Sequence, residues 1–177
     1  MPEVVVAIGS NCEREKHINY ALDSLTEKYD ELLISPVYES EAQKPRDLTI
    51  TGKPYYNLVV GFSTNSSVVA LKQSLCQIEA KCHRERQSER VTLDLDLLLY
   101  GDWVGQIDKA VIPHHDISQC AYVLRPLSDL LPEKLHPVHK QSYSALWKAF
   151  VIDTALCPID FVWKNKVISV SVCLQSI

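Results

Sequence analysis

Thr92-Leu93-Asp94-Leu95-Asp96-Leu97-Leu98-Leu99-Tyr100, closed by Gly101-Asp102, reads as a strand and organises everything around it. Apolar and acidic residues alternate with period two, so Leu93, Leu95 and Leu97 point to one side. Asp94 and Asp96 point to the other, about 7 Å apart at the strand rise per residue. Two carboxylates at that separation repel unless a cation lies between them. Hard oxygen ligands favour Mg²⁺, which is held by one or two carboxylates together with substrate phosphates. The same pattern also describes two aspartates on the solvent face of a half-buried strand. The pattern alone leaves both readings open.

Upstream, His83, Arg84, Arg86 and Arg90 crowd the approach to this strand. Guanidinium groups there could clamp polyphosphate oxygens, or simply form a solvated loop. Before them, Val68, Leu71, Leu75 and Ile78 make the apolar stripe of a helix, with Ser66-Ser67 offering its cap. Residues 55–64 have strand character. Residues 40–54, with Pro45, Gly52 and Pro54, form a long aperiodic loop of the kind that is usually functional or disordered. Residues 32–39 are a strand interrupted at Ser35-Pro36, the mark of an edge or a bulge. Ile18, Ala21, Leu22, Leu25 and Tyr29 recur at helical spacing. Residues 4–8 are a buried β-branched strand that stops at Gly9-Ser10-Asn11.

The order is βαββαβ. Two βαβ halves with right-handed crossovers predict an antiparallel four-stranded sheet with helices on one face. The expected class is α+β, with a ferredoxin-like core. Two helices are added around residues 118–131 and 142–150, and a C-terminal hairpin over 159–174 turns at Lys164-Asn165.

The 177 residues suit one domain with a proper core, and an apolar fraction of 46% is that of an ordinary globular chain. A net charge of -4 argues against a nucleic-acid-coating protein but not against a nucleotide substrate, since a few arginines can hold phosphates. Six scattered cysteines without zinc-type spacing read as reduced thiols. The N-terminal apolar run is too short for a signal peptide, and no stretch reaches the roughly 20 apolar residues of a membrane helix. The expected compartment is the cytoplasm, with small molecules rather than membranes or nucleic acids as partners.

Beyond the acidic strand, Ile112-Pro113 leads into His114, His115 and Asp116. The histidine pair could add a phosphate donor or a base, or be structural. Tyr55, Tyr56 and Asn57 combine aromatic faces with an amide, as stacking and in-plane hydrogen bonding to a flat heterocycle require. They are equally explained as ordinary strand composition.

The segments VAIGSN (6–11), SPVYESEA (35–42), YYNLVVGF (55–62), QIEAKCHRER (77–86), TLDLDLLLYGD (92–102) and IPHHDISQCAYVLRPLSDLLP (112–132) share order and spacing with a known family. Over about residues 4–137 the chain resembles the pterin pyrophosphokinases of folate synthesis. The resemblance implies transfer of the terminal diphosphate of ATP to 6-hydroxymethyl-7,8-dihydropterin, with AMP released and two Mg²⁺ ions on Asp94 and Asp96. It implies Tyr55 and Tyr122 flanking the pterin ring, with Ser40 and Asn57 at its polar edge. Arg84, Arg86 and Arg90 would join the two aspartates in catalysis. Glu79, Arg84, His114 and His115 would serve the nucleotide.

Departures accompany the match. SERVTLDLD (88–96) is shorter than the family segment, and Val91 stands where the family has arginine. Arg90, one residue away, would face the other side of a strand. Cys120 replaces an arginine and His115 an aromatic residue. Losing one charge-assisted phosphate contact costs about 1.5–3 kcal/mol. A relative with altered or weak activity, or a pterin-binding module without catalysis, therefore stand as alternatives.

Overall fold

The strand β1 (Glu3–Ser10) is buried along most of its length, with Val4, Val5 and Val6 fully covered and Ile8 nearly so. A strand apolar on both faces belongs at the centre of a sheet with both faces covered. The computed structural model, which describes residues 1–41, 53–84, 89–152 and 155–171, puts β1 there. The helix α1 (Arg14–Thr26) follows, then two short strands, β2 (Leu33–Ile34) and β3 (Tyr38–Ser40). Next come β4 (Tyr55–Ser63), α2 (Val68–Lys81) and β5 (Asp94–Tyr100). Both β4 and β5 pair antiparallel with β1, one on each side.

Ser35-Pro36 interrupts the second strand as expected, and both resulting pieces pair with β4. The gap is bridged by Ser35, whose N–H donates to the Val59 carbonyl (3.0 Å) and whose Oγ accepts from Val59 N (2.9 Å). Ser67 caps α2, its side chain accepting from Ala70 N.

Two expectations are corrected. The sheet is larger than four strands, because β8 (Leu156–Pro158) joins beyond β3 to give the order β5-β1-β4-β3-β8, with β2 also on β4. Residues 156–158 are too few to show strand periodicity in the sequence. Helices also cover both faces. On one, Ile18, Leu22 and Leu25 of α1 and Leu71, Leu75 and Ile78 of α2 pack on Val4, Val6, Ile8, Leu93, Leu95 and Leu97. Each fully buried leucine of this layer contributes about 1.5–3 kcal/mol. On the other lie α3 (Asp116–Gln119), α4 (Ala121–Leu130) and α5 (Tyr143–Ala149), packed on Val5, Val59, Leu98 and Leu99.

The strict alternation of β5 ends in a bulge. Val5 pairs with Leu99 and Val6 with Leu97, so Leu98 is the extra residue. The helical stretch expected over 118–131 is broken at Cys120, whose extended backbone separates α3 from α4. A hairpin of β6 (Gly105–Ile107) and β7 (Ala110–Ile112) lies between β5 and α3. The C-terminal hairpin is present as β9 (Phe161–Trp163) and β10 (Lys166–Ser169). Lys164 and Asn165 turn it with positive φ at both positions, as a two-residue type I′ turn requires. Residues 172–174, the expected end of that hairpin, lie outside the described residues, as does most of the 40–54 loop. Among the described residues no disulfide is formed, and no helix is long and apolar enough to cross a membrane.

Candidate active site

The face of the sheet opposite α1 and α2 is not fully covered, and the reason lies in β1. Val5, Ala7 and Gly9 share that face by alternation, and the two small residues leave space above the strand. Ala7 pairs with Asp96, while Gly9 sits between Asp94 on one side and Asn57 on the other. A cleft of about 260 Å³ opens there, lined by Ala7, Gly9, Tyr55, Asn57, Asp94 and Asp96 from the sheet. Asp116 and Tyr122, from α3 and α4, close it from above. A Cβ at Gly9 would stand 3.5 Å from Asn57 Oδ1, in ordinary contact, and would take up the floor of the cleft.

Asp94 and Asp96 do share one face, and both are half-buried. Burial, then the neighbouring Asp94 carboxylate, hold the Asp96 carboxyl above its usual range; His114 and Lys72 oppose this and Asp116 adds to it. The donor set of the cleft fits a hard divalent cation. Four carboxylates line it, those of Glu41, Asp94, Asp96 and Asp116, and the charge crowding at Asp96 is what such an ion would relieve.

At the other end, Asn57 Nδ2 donates to Ser40 Oγ at 2.9 Å, and both side chains are buried. Tyr55 and Tyr122 border the same cleft. Burial pushes both phenols up, with Asp94 adding at Tyr55 and Cys120 at Tyr122. The Arg84 charge opposes that shift at Tyr55.

Other expected site residues are placed differently. Arg90 turns toward the start of α1, its Nε 2.7 Å from Cys12 Sγ and its Nη2 3.8 Å from Glu13 Oε2. It borders a separate hollow with Lys16, Lys81 and His83, not the carboxylate cleft. Val91 is buried, so an arginine there would have to leave an apolar position. Glu79 is buried beneath β5, where Oε1 accepts from Leu95 N at 2.9 Å. Arg86 lies outside the described residues.

His114 and His115 stack with ring centroids 4.5 Å apart. His114 is tied to the edge of β5, its N–H donating to the Leu98 carbonyl at 2.9 Å. Asp116 reaches both rings, with Oδ2 3.6 Å from His114 Nδ1 and Oδ1 3.0 Å from His115 Nε2.

Asp116 is the main residue that sequence reasoning left without a role. Its only signal was adjacency to the histidine pair, and its approach to Asp94 and Asp96 is tertiary. In the sequence Ser10 and Asn11 carry only the signature of a turn. In the fold they tie down the segment entering β5: Ser10 Oγ donates to the Thr92 carbonyl (2.7 Å) and Asn11 Nδ2 to the Glu89 carbonyl (2.8 Å). Asn11 Oδ1 accepts from Val91 N (2.7 Å).

Fold and cleft together define a protein of mixed helix and antiparallel sheet, with three aspartates and an aromatic–amide pocket sharing one cleft. The model of the 7,8-dihydro-6-hydroxymethylpterin-pyrophosphokinase (HPPK) family matches residues 5–132, and the chain belongs to that family. It is 35% identical over 136 residues to a 2-amino-4-hydroxy-6-hydroxymethyldihydropteridine pyrophosphokinase of Pseudomonas aeruginosa, covering 73% of this chain and 81% of that one. A protein of the same description from Haemophilus influenzae is 31% identical over 151 residues, covering 82% of this chain and 91% of its own. The folic acid synthesis protein fol1 of Pneumocystis carinii is 28% identical over 173 residues, 95% of this chain but 23% of that much longer protein. Among solved structures, a substrate-bound HPPK-DHPS superposes with a TM-score of 0.73 at 13% identity, covering 96% of this chain and 50% of that one. This last likeness is one of fold.

Proposed function

We propose that this chain acts in the cytoplasm as an ATP-dependent pyrophosphokinase of folate synthesis, moving diphosphate from ATP to 6-hydroxymethyl-7,8-dihydropterin. The hydroxymethyl oxygen attacks the β-phosphorus of ATP, the bond from that phosphorus to the α–β bridging oxygen breaks, AMP leaves with that oxygen, and the hydroxyl proton is released to solvent. The observation that carries the reading is the meeting, in one cleft, of the Asp94/Asp96 pair with the Ser40–Asn57 pair and two tyrosines.

Each end of the cleft has its own task. Tyr55 and Tyr122 offer aromatic faces to a flat ring, while Asn57, oriented by Ser40, presents an amide to its polar edge. Asp94 and Asp96 would hold Mg²⁺, two ions by family resemblance, which when bound neutralises developing phosphate charge. Catalysis of this class is mostly positioning and electrostatics, so the chain's own contribution is a fixed carboxylate floor beside the ring pocket. By family resemblance Arg84, whose charge is felt at Tyr55, would take the phosphates, and His114, facing Asp116, would serve the nucleotide. Arg90 contacts Cys12 and Glu13 just before α1, and a phosphate role for it rests on the family resemblance alone. The strand order β5-β1-β4-β3 supports a ferredoxin-like core within a single domain.

The test is AMP release from Mg-ATP with and without the dihydropterin. Pterin-dependent AMP that disappears in Asp94→Ala is the expected result. Pterin binding without AMP would replace this reading with that of a non-catalytic pterin binder.

A further inference from the structure

The cleft is chemically divided. Its sheet floor carries Asp94 and Asp96, and on the α3 side Asp116, which also lines it, is flanked by the imidazoles of His114 and His115. We propose that His114, His115 and Asp116 form a second cation site, one that takes a borderline transition metal such as Zn²⁺, Ni²⁺ or Co²⁺ in preference to Mg²⁺. The inference stands on these three residues and does not depend on the pyrophosphokinase reading.

The geometry is close to what coordination needs. One ligand atom from each residue falls within a common 4.8 Å span. Two ligands bound at the usual zinc distances stand about 3.3 Å apart on a tetrahedral ion. The two histidine–carboxylate separations, 3.0 Å to Oδ1 and 3.6 Å to Oδ2, lie near that value, each ring facing its own oxygen of Asp116; His114 Nδ1 also accepts from the Asp116 N–H at 3.3 Å.

The cluster is also held in place without a metal. His114 is fixed to β5 through its N–H and the Leu98 carbonyl, the two rings stack, and Asp116 begins α3. His115 is largely exposed, with 63% of its side chain open, so a fourth position remains accessible to water or to a phosphate oxygen.

Ligand class then sorts the ions. Imidazole suits zinc, nickel and cobalt, while an all-oxygen pair suits Mg²⁺. Because Asp116 lines the same cleft as Asp96, a metal here would draw the histidines away from any nucleotide and change the charge felt by the aspartate pair. Occupancy would therefore act as a brake on the cleft.

The experiment uses the full chain in excess Mg²⁺, titrated with Co²⁺ as a spectroscopic probe. One equivalent should give visible d–d absorption, displaced by Zn²⁺. His115→Ala should weaken cobalt binding at least as much as the roughly 10–100-fold that loss of a supporting second-shell group costs. Asp94→Asn should leave the bands in place. Unchanged affinity in His115→Ala would overturn the site. So would bands that vanish in Asp94→Asn alone, or an intense thiolate charge-transfer band placing the ion on a cysteine. Matching thermal unfolding of metal-free wild type and His115→Ala would exclude misfolding as the cause of any loss.

Discussion

Glu79 Oε1 accepts a 2.9 Å hydrogen bond from the backbone N–H of Leu95, the residue between the two cleft aspartates. Because β5 ends the order of the main sheet, its outer edge needs partners from outside the sheet. Glu79 supplies one at Leu95, and His114 supplies another at Leu98. The register of the acidic strand is thus held from both α2 and the His114 turn.

Removing that acceptor should loosen the strand. Glu79→Ala is expected to destabilise the chain by about 1–3 kcal/mol, the cost of a buried donor left unpaired. Glu79→Gln keeps a carbonyl acceptor and should lose less. Urea unfolding of the two variants checks this; equal losses would show that the Leu95 bond is not what Glu79 contributes.

Asp96 should trade stability for cation binding. Its folded pKa is raised, by burial first and Asp94 second, so the folded chain holds a proton there more readily than the unfolded chain. Stability from this group is therefore complete below the unfolded carboxylate value and is lost as pH rises through the raised folded value. Asp96→Asn should melt about 2–4 °C higher than wild type in chelator at pH 7, the shift that about 1 kcal/mol produces in a domain of this size. Added Mg²⁺ should stabilise wild type and not the variant. Melting curves with chelator and with Mg²⁺ decide it.

His136 should give the chain an acid-sensitive element. It is buried, and its Nδ1 accepts from the N–H groups of Val138 (3.1 Å) and His139 (3.2 Å), which leaves no room for a proton there. Burial first, and His139 second, lower its pKa from 6.5 to about 4. Stability from this group is present above the unfolded value and declines as pH falls from 6.5 to about 4. His136→Asn, whose Oδ1 can take the same acceptor role, should flatten that part of the melting temperature–pH profile.

Asn11 should matter to the nucleotide without touching it. Its amide fastens Glu89 and Val91 just before β5, next to the arginine segment. Asn11→Ala should cost about 1–3 kcal/mol of stability and raise KM for ATP more than it lowers kcat. Steady-state kinetics at fixed dihydropterin measure the split. A fall in kcat alone would point to direct participation.

Tyr122 should act through its ring. Tyr122→Phe is expected to bind the dihydropterin nearly as wild type does. Tyr122→Ala should lose about 0.5–1.5 kcal/mol of stacking beyond simple burial, a few-fold to roughly ten-fold in Kd by fluorescence titration. Equal loss in both would assign the effect to the hydroxyl.

By itself the sequence determined what rests on local periodicity and on a few backbone-specific residues. The alternation of Asp94 and Asp96 against Leu93, Leu95 and Leu97, the apolar stripes of α1 and α2, the break at Ser35-Pro36 and the Lys164-Asn165 turn all follow from short-range geometry. The tertiary structure decided which side chains meet across the sheet. It joined β8 to β3, turned Arg90 onto Cys12, buried Val91 and Glu79, and brought Asp116 to the aspartate pair. Those outcomes depend on strand order, on the bulge at Leu98 and on the small residues Ala7 and Gly9 that leave room for a cleft. No local pattern encodes them, because each depends on residues distant in the chain coming to share one surface.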